Sequence, residues 1–530
     1  MRYQGRIVIY TDAPEITEDN VIEVLQRAYG QHTLNANRIQ FLLDYDAGNQ
    51  PLQRTKKVRA DIDCHCVDNV ANEITEFNLG FKWGNPITLV QDTSEQEKGI
   101  ADAVTELNKQ YKLAKIKTKT QELGRYIEIG AICNVLIDTN TEWSDGKSYF
   151  TLDVLDPRTS FVVRSNYYTD HRVMLGVTYR HDSISGNNYF TCFTDKQRFE
   201  IENLNKVING APIDEIKQGT WQHGQRSGEL NPLSIVPIVE YYRSHDRMGA
   251  WERQISEMDN LNLLVSDFTN DVDQNTQAIW HGNDVEFPTV TVKDDEGNDV
   301  QITKKPGSNE WVLTYTSQDG KQPKIEPLTI VYDYSGMLNN IISRRQLILQ
   351  KCNVPQRNDN SGGSTGVAMS DATGWSQAET AAAKQQMIID SCKMEEVEVV
   401  LAAIRASSYV PQDSSLRQLT VADVEPNIKR QKTYEMSTKV NAMATLISHG
   451  FSLEDTVNSI PFFDDPSAVC ARSGKNVKKY QESQVFANNS TMTGGEGGVD
   501  EPPPNADRTM QDLSDQISNS PMIDKSRTDK

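Results

Sequence analysis

The sequence predicts an α+β fold in which helical and β-rich blocks follow one another along the chain. Three observations carry that assignment. Apolar residues recur at helical spacing near the N-terminus, at Ile22, Leu25, Ile39, Leu42 and Leu43. From Ala131 the pattern changes to short β-rich runs split by turn residues. From Trp251 onward, long helical patterns are separated by a hairpin segment and by a polar stretch that carries adjacent glycines.

Taken in order, residues 14–48 read as helical, with Thr17 and Asn20 as caps and Gly48 as a stop. A second helix is expected over 64–79, followed by "GFKWGNPITL", a turn leading into a short strand. Residues 95–128 read as helical again. The β-rich block contains "CNVLIDT", "YFTLDVLDP", "SFVVRS", "VMLGVTYRH", "NYFTCFT" and "RFEIENL", and "PLSIVPIVEYYR" closes it. A helix over 251–279 would be roughly 40 Å long at 1.5 Å per residue. It places Trp251, Ile255, Met258, Leu261, Val265, Phe268, Val272 and Ile279 on one stripe. Its remaining surface is acidic, through Glu252, Glu257, Asp259, Asp267, Asp271 and Asp273. Residues 284–332 read as two hairpins, the first turning at Asp295-Glu296-Gly297-Asn298. Helices follow at 334–352, 375–406, 432–447 and 467–485, with a turn and short helix in "HGFSLEDTVNSIPFFDDP". From about 487 the chain is rich in Ser, Asn, Gly, Pro and acids, a composition expected to stay disordered.

Composition narrows the function. Of 530 residues, 37% are hydrophobic and 24% charged, enough for several cores. A mean hydropathy of -0.58 points to an extended shape or much solvent-facing surface. A net charge of -20 argues against tight, non-specific gripping of DNA. No apolar run is long enough to span a membrane, and the N-terminus lacks the apolar core of a signal peptide. Seven scattered cysteines suit reduced thiols in a cytoplasmic setting.

Catalytic, metal and cofactor sites are not expected. The stretch "NVPQRNDNSGGSTGVAMS" has no lysine to reach a phosphate and no strand before it, so it fails as a phosphate loop. "CHC" at 64–66 lacks a second ligand pair for zinc and reads as a helix start. "FFDDP" at 462–466 reads as a helix cap. The histidines form no known catalytic pattern.

The order of these blocks, together with "CHCVDNVANEITEFNLGFKWGNPITL", "VLDPRTSFVVRSNYYTDHRVMLGVTYR", "SIVPIVEYYRSHDRMGAWERQISEMDNLNLLVSDFTNDVDQNTQAIWHGND", "NSGGSTGVAMS" and "HGFSLEDTVNSIPFFDDPSAV", resembles the portal proteins of tailed double-stranded DNA bacteriophages, specifically the siphophage-type family. The resemblance covers most of residues 20–485. It implies a portal fold: a mixed α/β wing (1–248), a first stem helix (249–279), a β-rich clip (280–332), a second stem helix (333–352), a tunnel loop (353–374), a long wing helix (375–408), an α-helical crown (409–486) and an acidic tail (487–530). It also implies a non-enzymatic, dodecameric ring at one capsid vertex, assembled in the host cytoplasm, through which double-stranded DNA is packaged and ejected.

By the same resemblance the partners are other copies of the chain, the terminase large subunit, a head-tail adaptor, and the major capsid and scaffolding proteins. No membrane is involved. Arg344, Arg345, Arg357, Asn358, Asn360, Ser361, Gly362, Gly363, Ser364 and Thr365 would line the DNA tunnel. Lys293, Asp294, Asp295, Glu296, Lys304 and Lys305 would form the docking tip of the clip, by position. Two other functions compete: another oligomeric virion component such as a connector or tail protein, and a nucleotide-binding enzyme using the glycine-rich loop 361–366.

Overall fold

The computed structural model describes residues 5–52, 54, 62–91, 98–204, 220–223, 229–276, 279–283, 289–293, 297, 299–303, 324–328, 333–355, 374–428, 430, 436–453, 456–457, 470, 473–474 and 476. The chain divides into two compact units, Met1–Tyr434 and Glu435–Lys530.

The first unit begins with β1 (Tyr10–Thr11), α1 (Val21–Asp46), α2 (Val70–Lys82), β2 (Thr88–Gln91), α3 (Lys98–Leu113) and α4 (Ile116–Gly130). The β-rich block supplies β3 (Ile132–Thr139), β4 (Phe150–Leu155), β5 (Ser160–Ser165), β6 (Val173–His181), β7 (Asn188–Phe193), β8 (Gln197–Leu204), β9 (Thr220–His223), β10 (Glu229–Leu230) and β11 (Ile238–Tyr242). Next come α5 (Ile255–Thr276), β12 (Ile279–Asn283), β13 (Thr289–Lys293), β14 (Asp299–Thr303), β15 (Lys324–Leu328), α6 (Tyr334–Lys351), α7 (Trp375–Ala406), α8 (Ser415–Gln418) and β16 (Val424–Asn427). In the second unit the main described element is α9 (Met436–Ser448).

The β-rich block forms two sheets. One has the order β1-β5-β6-β7-β8-β10, with β9 also on β8, and β1 is parallel to β5. The other has the order β11-β3-β4. The two meet where Val162, Phe193 and Ile238 pack together. Gly176 sits at that contact because a Cβ there would lie 2.8 Å from Cβ of Ile238.

Three cores organise the first unit. The N-terminal half of α1 buries Val21, Leu25 and Ala28 against Phe161, Leu175, Val177, Phe190 and Phe199 of the larger sheet. Its C-terminal half carries Leu42 and Tyr45 into a second core with α2, α5 and α6. With 26 residues, α1 is about 39 Å long, so a single rigid rod ties the sheet to the helix pair. The third core joins α2, α3, α4, the smaller sheet and the C-terminal half of α7. Antiparallel pairing of β2 with β16 closes this region across more than three hundred residues of chain.

Several sequence-based expectations need correction. The first helix starts at Val21, not residue 14. Asn20 occupies the cap position, but its side chain accepts from the Thr17 backbone N–H at 2.8 Å and so holds the preceding turn. Gly48 does end the region, with φ +93°. The helical stretch expected over 95–128 is resolved into two helices, α3 and α4, that meet at Lys115, whose φ is +61°. Both helices send apolar residues into the same core. "CHC" does not start a helix: α2 begins at Val70, and Cys64–Cys66 lie extended along α5. Ile279 lies on β12 and is not part of the α5 stripe. Glu252 belongs to no solvated face, since it is buried and paired with Arg6.

The first hairpin is as expected, β13 on β14 with Gly297 at φ +82° in its turn. In the second hairpin, the strand 324–328 pairs back to β12; its expected partner near 311–316 lies outside the described residues. So do "FFDDP", almost all of 467–485 and the whole of 487–530.

Candidate functional site

The helix pair α5–α6 carries the residues that the sequence places nearest to DNA. Ile255, Met258 and Leu261 of α5 share a buried core with Ile341, Ile348 and Leu349 of α6, and Trp251 and Cys352, just outside the two helices, join it. Further along, Phe268 meets Tyr334 edge-on at 6.0 Å between ring centroids. Asp333 caps α6 by accepting from the Gly336 N–H at 2.9 Å.

An extended segment, Ile62–Asp68, runs along α5 on a polar track. The N–H groups of Cys64, Cys66 and Asp68 donate to Asn270 Oδ1, Ser266 Oγ and Asn262 Oδ1 at 2.8, 3.0 and 2.9 Å. Four helical residues rise about 6.0 Å, and two extended residues span about 6.6 Å. The spacing of four on α5 therefore matches every second residue of the strap. Asn262, Ser266 and Asn270 are all buried. Gln50 extends the network by accepting from Asn262 Nδ2 and donating to the Asn69 side chain at 3.0 Å. This stripe lies between the acidic and apolar patterns of α5. Its signal was a polar residue at every fourth position, from 262 to 270.

The charges on the pair are split. α5 carries Glu257, Asp259, Asp267, Asp271 and Asp273 and no Lys or Arg, while α6 carries Arg344, Arg345 and Lys351 and no acid. Arg344 and Lys351 each stand 3.9 Å from Glu257. Arg345 is held much more firmly, with Nε donating to Asp68 at 3.0 Å and a terminal nitrogen donating to Glu73. Asp259 accepts from the Tyr45 hydroxyl at 2.8 Å, and Asp267 pairs with Arg54 at 2.6 Å. Leu338, Ile342 and Leu347 of α6 remain 44–48% exposed.

Beside this pair lies a buried charge node that sequence patterns did not mark. Glu128, at the end of α4, accepts from Trp83 Nε1 at 3.0 Å, Gln385 Nε2 at 2.8 Å and Arg243 Nε at 3.1 Å. Lys82 Nζ stands 3.4 Å away. The surrounding cations and donors outweigh the penalty of burial and hold the Glu128 carboxyl at about 2. Burial lowers Lys82 to about 8 even with Glu128 beside it.

Of the other residues placed at a site by the sequence, Lys293 is exposed at the end of β13. Arg357, Asn358, Asn360, Ser361, Gly362, Gly363, Ser364 and Thr365 lie outside the described residues, as do Asp294, Asp295, Glu296, Lys304 and Lys305.

The family model for "Phage portal protein, SPP1 Gp6-like" matches residues 25–485. The chain belongs to this portal family. As a phage portal protein it is a component of the virion, and among its described residues no helix is long and apolar enough to cross a membrane. No curated protein matches the chain. Among solved structures, a chain from "Neck of empty GTA particle computed with C6 symmetry" matches with a TM-score of 0.38 at 10% identity, over 76% of this chain and 92% of that one.

Proposed function

We propose that this portal protein assembles into a dodecameric ring at a single capsid vertex and acts as a conduit for double-stranded DNA, without catalysis of its own. The portal-family match over 25–485 carries this reading. In it, the terminase large subunit docks during packaging and a head-tail adaptor replaces it afterwards. The clip around 280–332, with Lys293 to Glu296 and Lys304–Lys305 at its tip, receives both. Capsid and scaffolding proteins contact the wing.

Two features support a closed ring. An acidic α5 and an acid-free, cationic α6 on opposite sides of one helix pair suit a head-to-tail interface, in which α5 of one copy meets α6 of the next. Leu338 and Ile342, left exposed within one chain, supply apolar surface for such a contact. Residues 353–374, with Arg357, Asn358, Asn360 and Ser361–Thr365, form the tunnel loop. Between the two stem arginines, Arg344 is the better phosphate ligand, because Arg345 already has two carboxylates.

Negative-stain imaging of the purified chain tests the reading. Rings with a central hole are expected. A monodisperse monomer, or measurable ATP hydrolysis, would overturn it.

A further inference from the structure

The α3–α4 corner concentrates positive charge on a chain of net charge -20. Lys109, Lys112, Lys115, Lys117 and Lys119 fall in one short stretch, and no acid occurs between Glu106 and Glu122. Lys115 takes a left-handed backbone, φ +61°, at the turn between α3 and α4, which places these lysines on the end of one helix, the turn and the start of the next. Lys109 pairs with Glu106 at 3.2 Å and Lys119 with Asp153 at 2.9 Å. Lys112, Lys115 and Lys117 are exposed and form no ion pair with any described residue. The first turn of α4 has no acid, so Lys115 and Lys117 stand at the positive end of a helix dipole without a paired carboxylate among the described residues. That placement opposes stability, which leaves an outside anion as the natural counter-charge.

The chemistry favours a phosphate polymer over a protein. Protein interfaces need apolar anchors at their centre, and no large hydrophobic between Val67 and Tyr167 is exposed among the described residues. A phosphodiester backbone needs only spaced cations. We propose that Lys112, Lys115 and Lys117 form a secondary contact for the backbone of double-stranded DNA, on elements other than α6 and the tunnel loop. Only the source of that DNA, the packaged genome, rests on the portal reading. Each copy holds the polymer weakly, and a ring multiplies the contact.

The test is fluorescence anisotropy of a labelled DNA duplex with the full-length protein. With three phosphate contacts, wild-type affinity is expected to fall about 40-fold between 50 and 200 mM salt. The triple variant Lys112→Glu/Lys115→Glu/Lys117→Glu should lose at least tenfold in affinity and flatten the salt dependence. The corresponding triple Gln variant should fall between it and wild type. All three side chains are exposed, so thermal unfolding at or above the wild-type temperature serves as the folding control. Wild-type affinity and salt slope in both variants would overturn the proposal. So would polyglutamate binding the wild-type protein and losing that binding in the triple Glu variant while the duplex binds both proteins equally, which would point to an acidic protein partner here and another site for DNA. Rings seen in the same samples without DNA binding would count against this contact alone and leave the portal assembly standing.

Discussion

Glu128 shows how one buried carboxylate sets local stability. It joins α2, α4, α7 and the chain after β11 through Trp83, Lys82, Gln385 and Arg243. Glu128→Gln removes the counter-charge from two cations and should cost about 3–5 kcal/mol, read as a drop in urea midpoint. Gly124 faces the Trp83 indole, and a Cβ there would lie 2.5 Å from Cγ. Gly124→Ala should therefore destabilise by about 1–3 kcal/mol, and the Trp83 fluorescence should report the shift.

His32 gives a pH signature. It is buried, stacks on Phe161 at 4.4 Å and donates through Nε2 to the Arg158 carbonyl at 2.9 Å. Burial lowers its pKa from 6.5 to about 4. Between those values the unfolded chain takes up a proton that the folded chain refuses. Stability is therefore lost as pH falls from about 6.5 to 4, by about 3 kcal/mol from this group. Unfolding of wild type and His32→Gln across that window checks it, and the variant should show the shallower slope. Nothing in the sequence marked His32 or Glu128, because burial of a polar residue depends on which distant segments cover it.

At the scale of elements, the strap on α5 is the feature with the clearest consequence. Asn262→Ala leaves the Asp68 N–H without its acceptor and should cost about 1–3 kcal/mol. Amide exchange at Cys64, Cys66 and Asp68 should rise together, since the three bonds form one ladder. Local patterns placed α6 and α7 nearly to the residue, because their helical periodicity runs unbroken over many turns. The same patterns marked 95–128 as helical without showing the bend at Lys115. No glycine or proline marks that bend, and only the shared core of the two helices explains it.

For the whole molecule, Arg344 and Arg345 separate function from stability. Arg344→Ala should leave thermal stability within about 0.5 kcal/mol of wild type and reduce DNA filling in a packaging assay. Arg345→Ala releases Asp68 and Glu73 and should lower stability first. Equal effects of the two substitutions on packaging, at equal stability, would argue against the assignment.

The sequence by itself determined the succession of blocks, the hairpin turn at Gly297, the long helices and, through their order, the portal family. These rest on periodicity, turn chemistry and motif order, all local to the chain. Only the tertiary structure decided that the β-rich block is two sheets and that β2 pairs with β16. The same holds for the polar track under the strap and for the neutralisation of Arg345, but not Arg344, by two carboxylates. Each of these depends on contacts between segments tens to hundreds of residues apart. Such contacts are selected by burial and charge pairing in three dimensions, and no local pattern encodes them.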